Sequence, residues 1–304
     1  MSVAVARAPS ALAGIALAVA AVACFATLDT TTKVATATVP LLMALWFRYC
    51  FQAVVTTAVM LPQRGWGIWR TRRPGLQVLR GMLLLSSSGT AFLSLKFLPV
   101  AEFTAIVSLT PLLITFLAAT VLREPVSVLR WLLVIGGFSG AMLIIRPGHE
   151  QFSWPMLLPL AVLAINTAFQ LLTSRMVKTE DPVTMHLYTG WVGMLISALA
   201  LPWVWQALSL VEWSYLVLMG LAAAGGHFML ILAYGRAPVA TLSPYLYAQI
   251  GFAVIGGWVA FAHTPDGWSL LGMCVIAACG AAGAWLTLRE NRALRTPVLA
   301  PVET

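Results

Sequence analysis

Residues 80–101 read RGMLLLSSSGTAFLSLKFLPVA, and residues 219–240 read MGLAAAGGHFMLILAYGRAPVA. At a constant offset of 139 they match Gly81 to Gly220, Pro99 to Pro238, Val100 to Val239 and Ala101 to Ala240. Upstream, at an offset of 142, Thr31 meets Thr173, Lys33 meets Arg175, Pro40 meets Pro182 and Met43 meets Met185. Each unit holds five hydrophobic spans. Five is odd, so the second unit enters a membrane upside down relative to the first. Inverted repeats are the construction of alternating-access carriers, whose substrate site lies near the midplane between the halves.

Working outward, the chain is 60% hydrophobic and 9% charged, with a mean hydropathy of +0.90. Soluble domains carry about 25% charge. Charge-poor stretches recur from end to end, each near the ~20 residues that cross a bilayer. They fall at 11–35, 40–61, 76–96, 98–121, 128–146, 153–178, 183–204, 212–234, 238–262 and 267–288. The expected fold is all-α and integral to the membrane, with ten transmembrane helices as two inverted five-helix repeats around a central cavity. The first repeat covers 11–147 and the second 153–288, between cytoplasmic tails at 1–10 and 289–304. The short connections leave no room for a soluble domain.

The net charge of +8 invites a nucleic-acid reading, but its distribution opposes one. With the amino terminus inside, fourteen Lys and Arg lie on the inner side, Arg7 and Arg80 among them. Lys33, Lys96 and Arg146 lie outside, and Arg48 lies within a span. This is the positive-inside asymmetry that sets orientation. It places both termini in the cytoplasm and the chain in the cell (inner) membrane. Residues 1–26 also resemble a secretory signal. The apolar run at 11–28 is long for one, and it pairs with 153–178 in the repeat, so it is read as a retained span. Cys24, Cys50, Cys274 and Cys279 all fall inside spans, which argues against a disulfide framework or a metal cluster.

The stretch 99–147, PVAEFTAIVSLTPLLITFLAATVLREPVSVLRWLLVIGGFSGAMLIIRP, resembles the second part of an EamA-type repeat of the drug/metabolite transporter superfamily. The resemblance rests on the Pro-Val-Ala start, a mid-span proline, an Arg-Glu-Pro turn at 123–125 and a glycine-rich closing span. In the second copy Ala262, His263 and Thr264 replace that turn. Within the superfamily the chain is most similar to bacterial amino-acid and metabolite exporters, including the aromatic amino-acid exporters. The resemblance implies a ten-helix basket with a central cavity that exports small polar metabolites from the cytoplasm.

Polar residues inside a membrane are costly and usually face the bundle interior or a water-filled cavity. In the sixth span Asn166, Gln170 and Thr173 share one helical face. In the ninth, Thr241, Tyr245 and Gln249 do so around Pro244, and the fourth offers Thr104, Ser108, Pro111 and Thr115. His227 in the eighth span corresponds to Ser88 in the third. Asn166, Gln170, His227, Tyr245, Gln249, Ser88 and Ser108 are therefore the candidate substrate contacts. Trp191, with Tyr188, is a candidate stacking surface in the middle of the seventh span. The competing reading for each is interhelical bonding or core packing.

Charges form a second group. Asp29 and Lys33 stand at i, i+4, a favourable helical pair. Asp29, Arg48 and Glu102 are candidates for an outer gate or for coupling, against a reading in which Lys33 and Lys96 snorkel and Arg48 bonds carbonyls. Pro111 and Pro244 interrupt equivalent spans and are candidate hinges. The Gly136–Gly140 and Cys279–Gly283 segments read as packing supports, which allow a homodimer without requiring one.

A membrane-embedded enzyme would need nucleophiles, ligands or paired carboxylates converging at one depth. Ten acidic residues and four scattered histidines do not supply that pattern, and no phosphate loop of the GxxxxGK type occurs. No cofactor, metal or nucleic-acid partner is expected, only membrane lipid and a small-molecule substrate such as an amino acid. A passive channel and a drug or lipid-linked metabolite exporter of the same fold remain the rival readings.

Overall fold

The structure, a computed structural model, describes residues 11–120, 127–147, 152–177, 179–237 and 239–293. The Arg123-Glu124-Pro125 turn, Arg7, Pro238, the tail at 1–10 and most of the tail at 289–304 lie outside the described residues. What is described is all-helical, with no strand.

Most helices follow the hydrophobic spans. They are α1 (Ala11–Ala35), α2 (Leu41–Arg64), α3 (Pro74–Phe97), α4 (Val100–Val107), α5 (Thr110–Thr120) and α6 (Val128–Ile145). The second half holds α7 (Leu158–Met176), α8 (Pro182–Ala198), α9 (Leu201–Val204), α10 (Leu210–Arg236), α11 (Val239–Leu246), α12 (Ala248–Phe261) and α13 (Gly267–Ala293). Among the described residues nine helical segments are long and apolar enough to cross a membrane. The stretch read as a seventh span, 183–204, is not one of them. It divides into the 17-residue α8 and the single turn of α9.

Local chemistry explains the boundaries. Pro40 precedes α2, and Pro182 occupies the first turn of α8, where a missing amide hydrogen costs nothing. The Asp181 carboxylate caps α8 by accepting from Val183 N at 2.7 Å and Thr184 N at 3.3 Å. Ser209 and Glu212 form a reciprocal capping box on α10.

The fourth span breaks between α4 and α5 at Ser108–Leu109, and the ninth breaks between α11 and α12 at Tyr247. An offset of 139 takes Ser108 to Tyr247. Pro111 lacks the amide that would bond the Val107 carbonyl, and the Thr110 hydroxyl donates to that carbonyl instead, at 2.8 Å. The two prolines stand differently to the breaks. Pro111 follows its break as the second residue of α5, whereas Pro244 lies inside α11, three residues ahead of its own.

Packing inverts the pattern of a soluble protein. Large apolar side chains such as Val128, Leu132 and Val259 face outward, while Arg48, Gln52, Gln77, Arg80, Glu102 and His186 are buried. The main pairings are α1 on α10, α3 on α7, α2 on α8, α6 on α13 and α1 on α12. Gly140 and Gly272 bring α6 and α13 together. A Cβ at Gly140 would stand 2.8 Å from the Gly272 carbonyl oxygen, and one at Gly272 would stand 2.6 Å from the Gly140 oxygen. The small-residue faces therefore pack on each other, as close-packed membrane helices do.

Candidate functional site

Polar side chains from many helices converge inside the bundle. Arg48, on the eighth residue of α2, is 3% exposed. Its Nη1 donates to Tyr49 Oη at 3.0 Å and to Ser88 Oγ. Its Nη2 lies 3.3 Å from His227 Nε2, and its Nε is buried without a partner. Tyr49 Oη and Ser88 Oγ are 2.9 Å apart. The His227 ring also packs on Phe25 of α1, centroid to centroid 4.9 Å. Facing a guanidinium, His227 Nε2 acts as an acceptor, which assigns the proton of the neutral ring to Nδ1.

Gly193 makes room for this cluster. The Tyr49 ring lies so close on α8 that a Cβ at Gly193 would come within 2.3 Å of it. The bare backbone there sets the depth of the ring and hence the position of its hydroxyl.

Asp29 lies on α1, near enough to Arg48 for their charges to interact. The two form no ion pair, and neither has another ionic partner among the described residues. Thr104 of α4 and Gln249 of α12 donate to Asp29 Oδ2 over long distances, 3.4 and 3.5 Å. Asn166 of α7 donates to Thr110 at 3.5 Å, beside the α4–α5 break. Asp29, Asn166, Gln170, His227 and Gln249 are half-buried, whereas Arg48, Tyr49, Ser88 and Thr104 are buried.

A buried ion without a partner costs several kcal/mol, and an arginine stays charged at any accessible pH. The partners of Arg48 are all neutral, so the guanidinium presents unspent positive charge inside the bundle. The Asp29 carboxyl lies close by, held by two long hydrogen bonds and by no ion pair. An unpaired guanidinium near a carboxyl suits a ligand bearing both a carboxylate and an ammonium.

The remaining sequence candidates distribute as follows. The Asp29–Lys33 helical pair is not formed. Lys33 Nζ donates instead to the carbonyls of Leu95 at 2.6 Å and Leu98 at 2.7 Å, two acceptors left free near the end of α3. Asp29, Arg48 and Glu102 do not meet. Glu102 accepts from His263 at 3.1 Å, beside a cavity of about 260 Å³ between the α3–α4 and α12–α13 connections. Ser108 donates to its own helix at Thr104 O, 2.7 Å. Tyr245 is exposed on α11. Trp191 donates to Thr57 of α2 at 3.1 Å and packs on Trp69 at 5.7 Å, so its ring spans a helix–helix contact. Tyr188 joins the same group through the Trp69 carbonyl at 3.1 Å.

Arg80, read in sequence as an inner-side charge, is buried at the α3–α7–α8 junction. It donates to Thr173 at 2.8 Å, to the Met185 carbonyl at 2.7 Å and to Thr189 at 2.6 Å. Sequence reasoning also passed over Tyr49, Gln52 and His186. Gln52 Nε2 donates to the His186 carbonyl at 3.1 Å. The available signal was helical spacing, since Arg48 and Gln52 stand at i, i+4 and Gln77 and Arg80 at i, i+3. No cluster of metal-ligating residues occurs among the described residues.

This arrangement is that of a multi-pass membrane protein. Residues 12–146 match the EamA-like transporter family. The chain is 27% identical to an S-adenosylmethionine uptake transporter of Rickettsia bellii, over 76% of this chain and 79% of that one. It is 28% identical to a riboflavin transporter of Rhizobium johnstonii, over 85% and 84%. It is 24% identical to a pseudopaline exporter of Pseudomonas aeruginosa, over 88% and 94%. A crystal structure 19% identical in sequence superposes with a TM-score of 0.65, covering 94% of this chain and all of that one, which shows a shared fold. The first half of the chain thus matches the EamA-like transporter family, and the greater part of the chain is similar to named transporters, consistent with the drug/metabolite transporter superfamily.

Proposed function

We propose that this protein exports amino acids or related small metabolites across the cell (inner) membrane by alternating access. The observation that carries the reading is the buried Arg48 guanidinium without an anionic partner, close to an equally unpaired Asp29. A substrate carboxylate would pair with Arg48, and a substrate ammonium would pair with Asp29 among Thr104 and Gln249. Ser88 and His227 would hold the guanidinium in place. Asn166, Gln170, Ser108 and Tyr245 would line the path, with Trp191 supporting it from behind.

Two inverted repeats, 11–147 and 153–288, with ten spans complete the architecture, and α8 with α9 supplies the seventh. Packing supports this, because exchanging the halves exchanges the contacts. The pairing of α1 with α10 becomes that of α7 with α3, and α2 with α8 and α6 with α13 map onto themselves. The helix breaks at Ser108 and Tyr247, 139 residues apart, support it equally. The positive-inside bias supports cytoplasmic termini.

Relatives are named for S-adenosylmethionine uptake and for pseudopaline export, and export is the direction proposed here. S-adenosylmethionine itself carries an ammonium and a carboxylate on one carbon. A riboflavin-like cargo, as in other relatives, has no carboxylate and would leave Arg48 unpaired. The test is release of a mixed labelled amino-acid pool from proteoliposomes, quantified species by species against protein-free vesicles. Saturable loss of particular amino acids is expected. No loss above control in sealed vesicles holding folded protein overturns the reading.

A further inference from the structure

The cavity beside Glu102 is separate from the central cluster and has its own chemistry. Its walls include Phe97, Ile145, Phe152 and Met156, and its rim carries Arg146, His263 and Asp266. Glu102 lines it while 7% exposed. One carboxylate oxygen accepts from His263 at 3.1 Å, and the other is buried with no partner. A buried acceptor without a donor forfeits the hydrogen bonds it made to water, a cost that is greater for a charged group.

The surrounding charges do not meet that need. Arg146 is paired with Asp266 and bonds Ser269 and the Leu143 carbonyl. Lys33 reaches in from α1 and gives two of its three ammonium hydrogens to the Leu95 and Leu98 carbonyls, without bonding Glu102. His263 is engaged with the other oxygen of Glu102. The cavity therefore offers a carboxylate oxygen lacking a donor, framed by apolar and aromatic walls.

We propose that this peripheral cavity is a second binding site, which takes a primary ammonium bearing a compact apolar group through the unpartnered oxygen of Glu102. The last torsion of a glutamate is soft, and both oxygens turn together, so presenting the free oxygen to the ligand loosens the bond to His263, whose ring is partly exposed. The apolar substituent lies against Phe97, Phe152 and Met156. The site does not depend on what the central cluster carries. The ammonium could belong to a soluble amine or to a phosphatidylethanolamine headgroup.

The test is calorimetric titration of phenethylammonium into the purified full-length protein in lipid-free detergent, with 3-phenylpropanoate and methylammonium as comparisons. Saturable binding of phenethylammonium is expected, with both comparison compounds at least about tenfold weaker. Glu102→Gln is expected to weaken binding at least about tenfold. Glu180→Gln is expected to preserve it, because that carboxylate is bonded by Thr71 and Gln77 in another cluster. Absence of binding, equal binding of the carboxylate isostere, or loss on Glu180→Gln but not on Glu102→Gln overturns the proposal. Should Glu102→Gln fail to fold, the comparison of the three compounds on the unaltered protein still decides. Repeating the titration in phosphatidylcholine nanodiscs with and without phosphatidylethanolamine separates the sources. Competition by the lipid names the headgroup as occupant, and its absence names the soluble amine.

Discussion

Ser88 of α3 and His227 of α10 bond the same guanidinium, that of Arg48, although they are 139 residues apart in the chain. That interval is the offset at which residues 80–101 and 219–240 match in sequence, so residues at matching places bond the two terminal nitrogens of one guanidinium. A central site shared by both halves is where an alternating-access carrier places its substrate. The first consequences concern the residues that hold this cluster in shape.

Gly193→Ala should impair transport without touching substrate. The added methyl would meet the Tyr49 ring at 2.3 Å, and displacing that ring moves the Tyr49 hydroxyl from Ser88 and Arg48. Apparent affinity for substrate is expected to fall several-fold in proteoliposome uptake or release, about 1 kcal/mol of binding. Unchanged affinity would remove Tyr49 from the site.

Pro111→Ala restores an amide that can bond the Val107 carbonyl now held by the Thr110 hydroxyl. The α4–α5 break then loses part of its cause, and the helix favours a straight form. Stopped-flow transport should slow several-fold while apparent affinity stays the same. Full retention of the rate would count against a hinge at this point.

Gly140→Val tests the α6–α13 support. The new Cβ would stand 2.8 Å from the Gly272 carbonyl oxygen, and neither backbone can yield as a flexible side chain would. Overpacking of this kind costs about 1–3 kcal/mol, so the melting temperature of the purified protein should fall clearly. An unchanged melt would show that the two helices do not rely on close approach.

The Arg146–Asp266 pair sets a pH dependence at one end of the bundle. Hydrogen bonds from the Arg146 guanidinium and from Ser269 N hold the Asp266 carboxyl well below the usual carboxylate range. A depressed folded-state pKa means that its stabilisation is complete above the ordinary value of 3.8 and is lost only as pH falls below it, towards the folded-state value. The pair is exposed, so it contributes at most about 1 kcal/mol. Asp266→Asn should lower the melting temperature slightly and by the same amount from pH 8 to pH 5. A difference that grew or vanished within that range would contradict the assignment.

Much of the fold is legible in the residues because the membrane leaves few choices. Helices must satisfy their own backbone, so hydrophobic length and Pro or Asp caps such as Pro40 and Asp181 mark most segments. The seventh span was less legible, since Leu199–Pro202 reads as continuous apolar sequence while the helix ends at Ala198. The central cluster was half legible. Ser88 and His227 follow from the repeat, but the partners of Arg48 do not, because depth along one helix says nothing about which neighbour a long side chain reaches. The burial of Arg80 is not legible for the same reason, since nothing in α3 alone tells that α7 and α8 cover it. Trp191 shows the limit of counting from a helix start. It stands mid-helix, yet Trp69 and Thr57 enclose it from α2 and the segment beyond.

The central claim is that Arg48 receives the carboxylate of a small zwitterion. The most direct measurement is counterflow in proteoliposomes loaded with the amino acid that the release assay identifies. Labelled substrate is driven by the unlabelled amino acid, by its methyl ester or by its decarboxylated amine, in the unaltered protein and in Arg48→Gln. The account predicts that the free amino acid drives exchange at least about tenfold better than ester or amine, ~1.4 kcal/mol, and that Arg48→Gln removes this preference. Equal exchange by acid and ester in the unaltered protein, or a preference that survives Arg48→Gln, would contradict it.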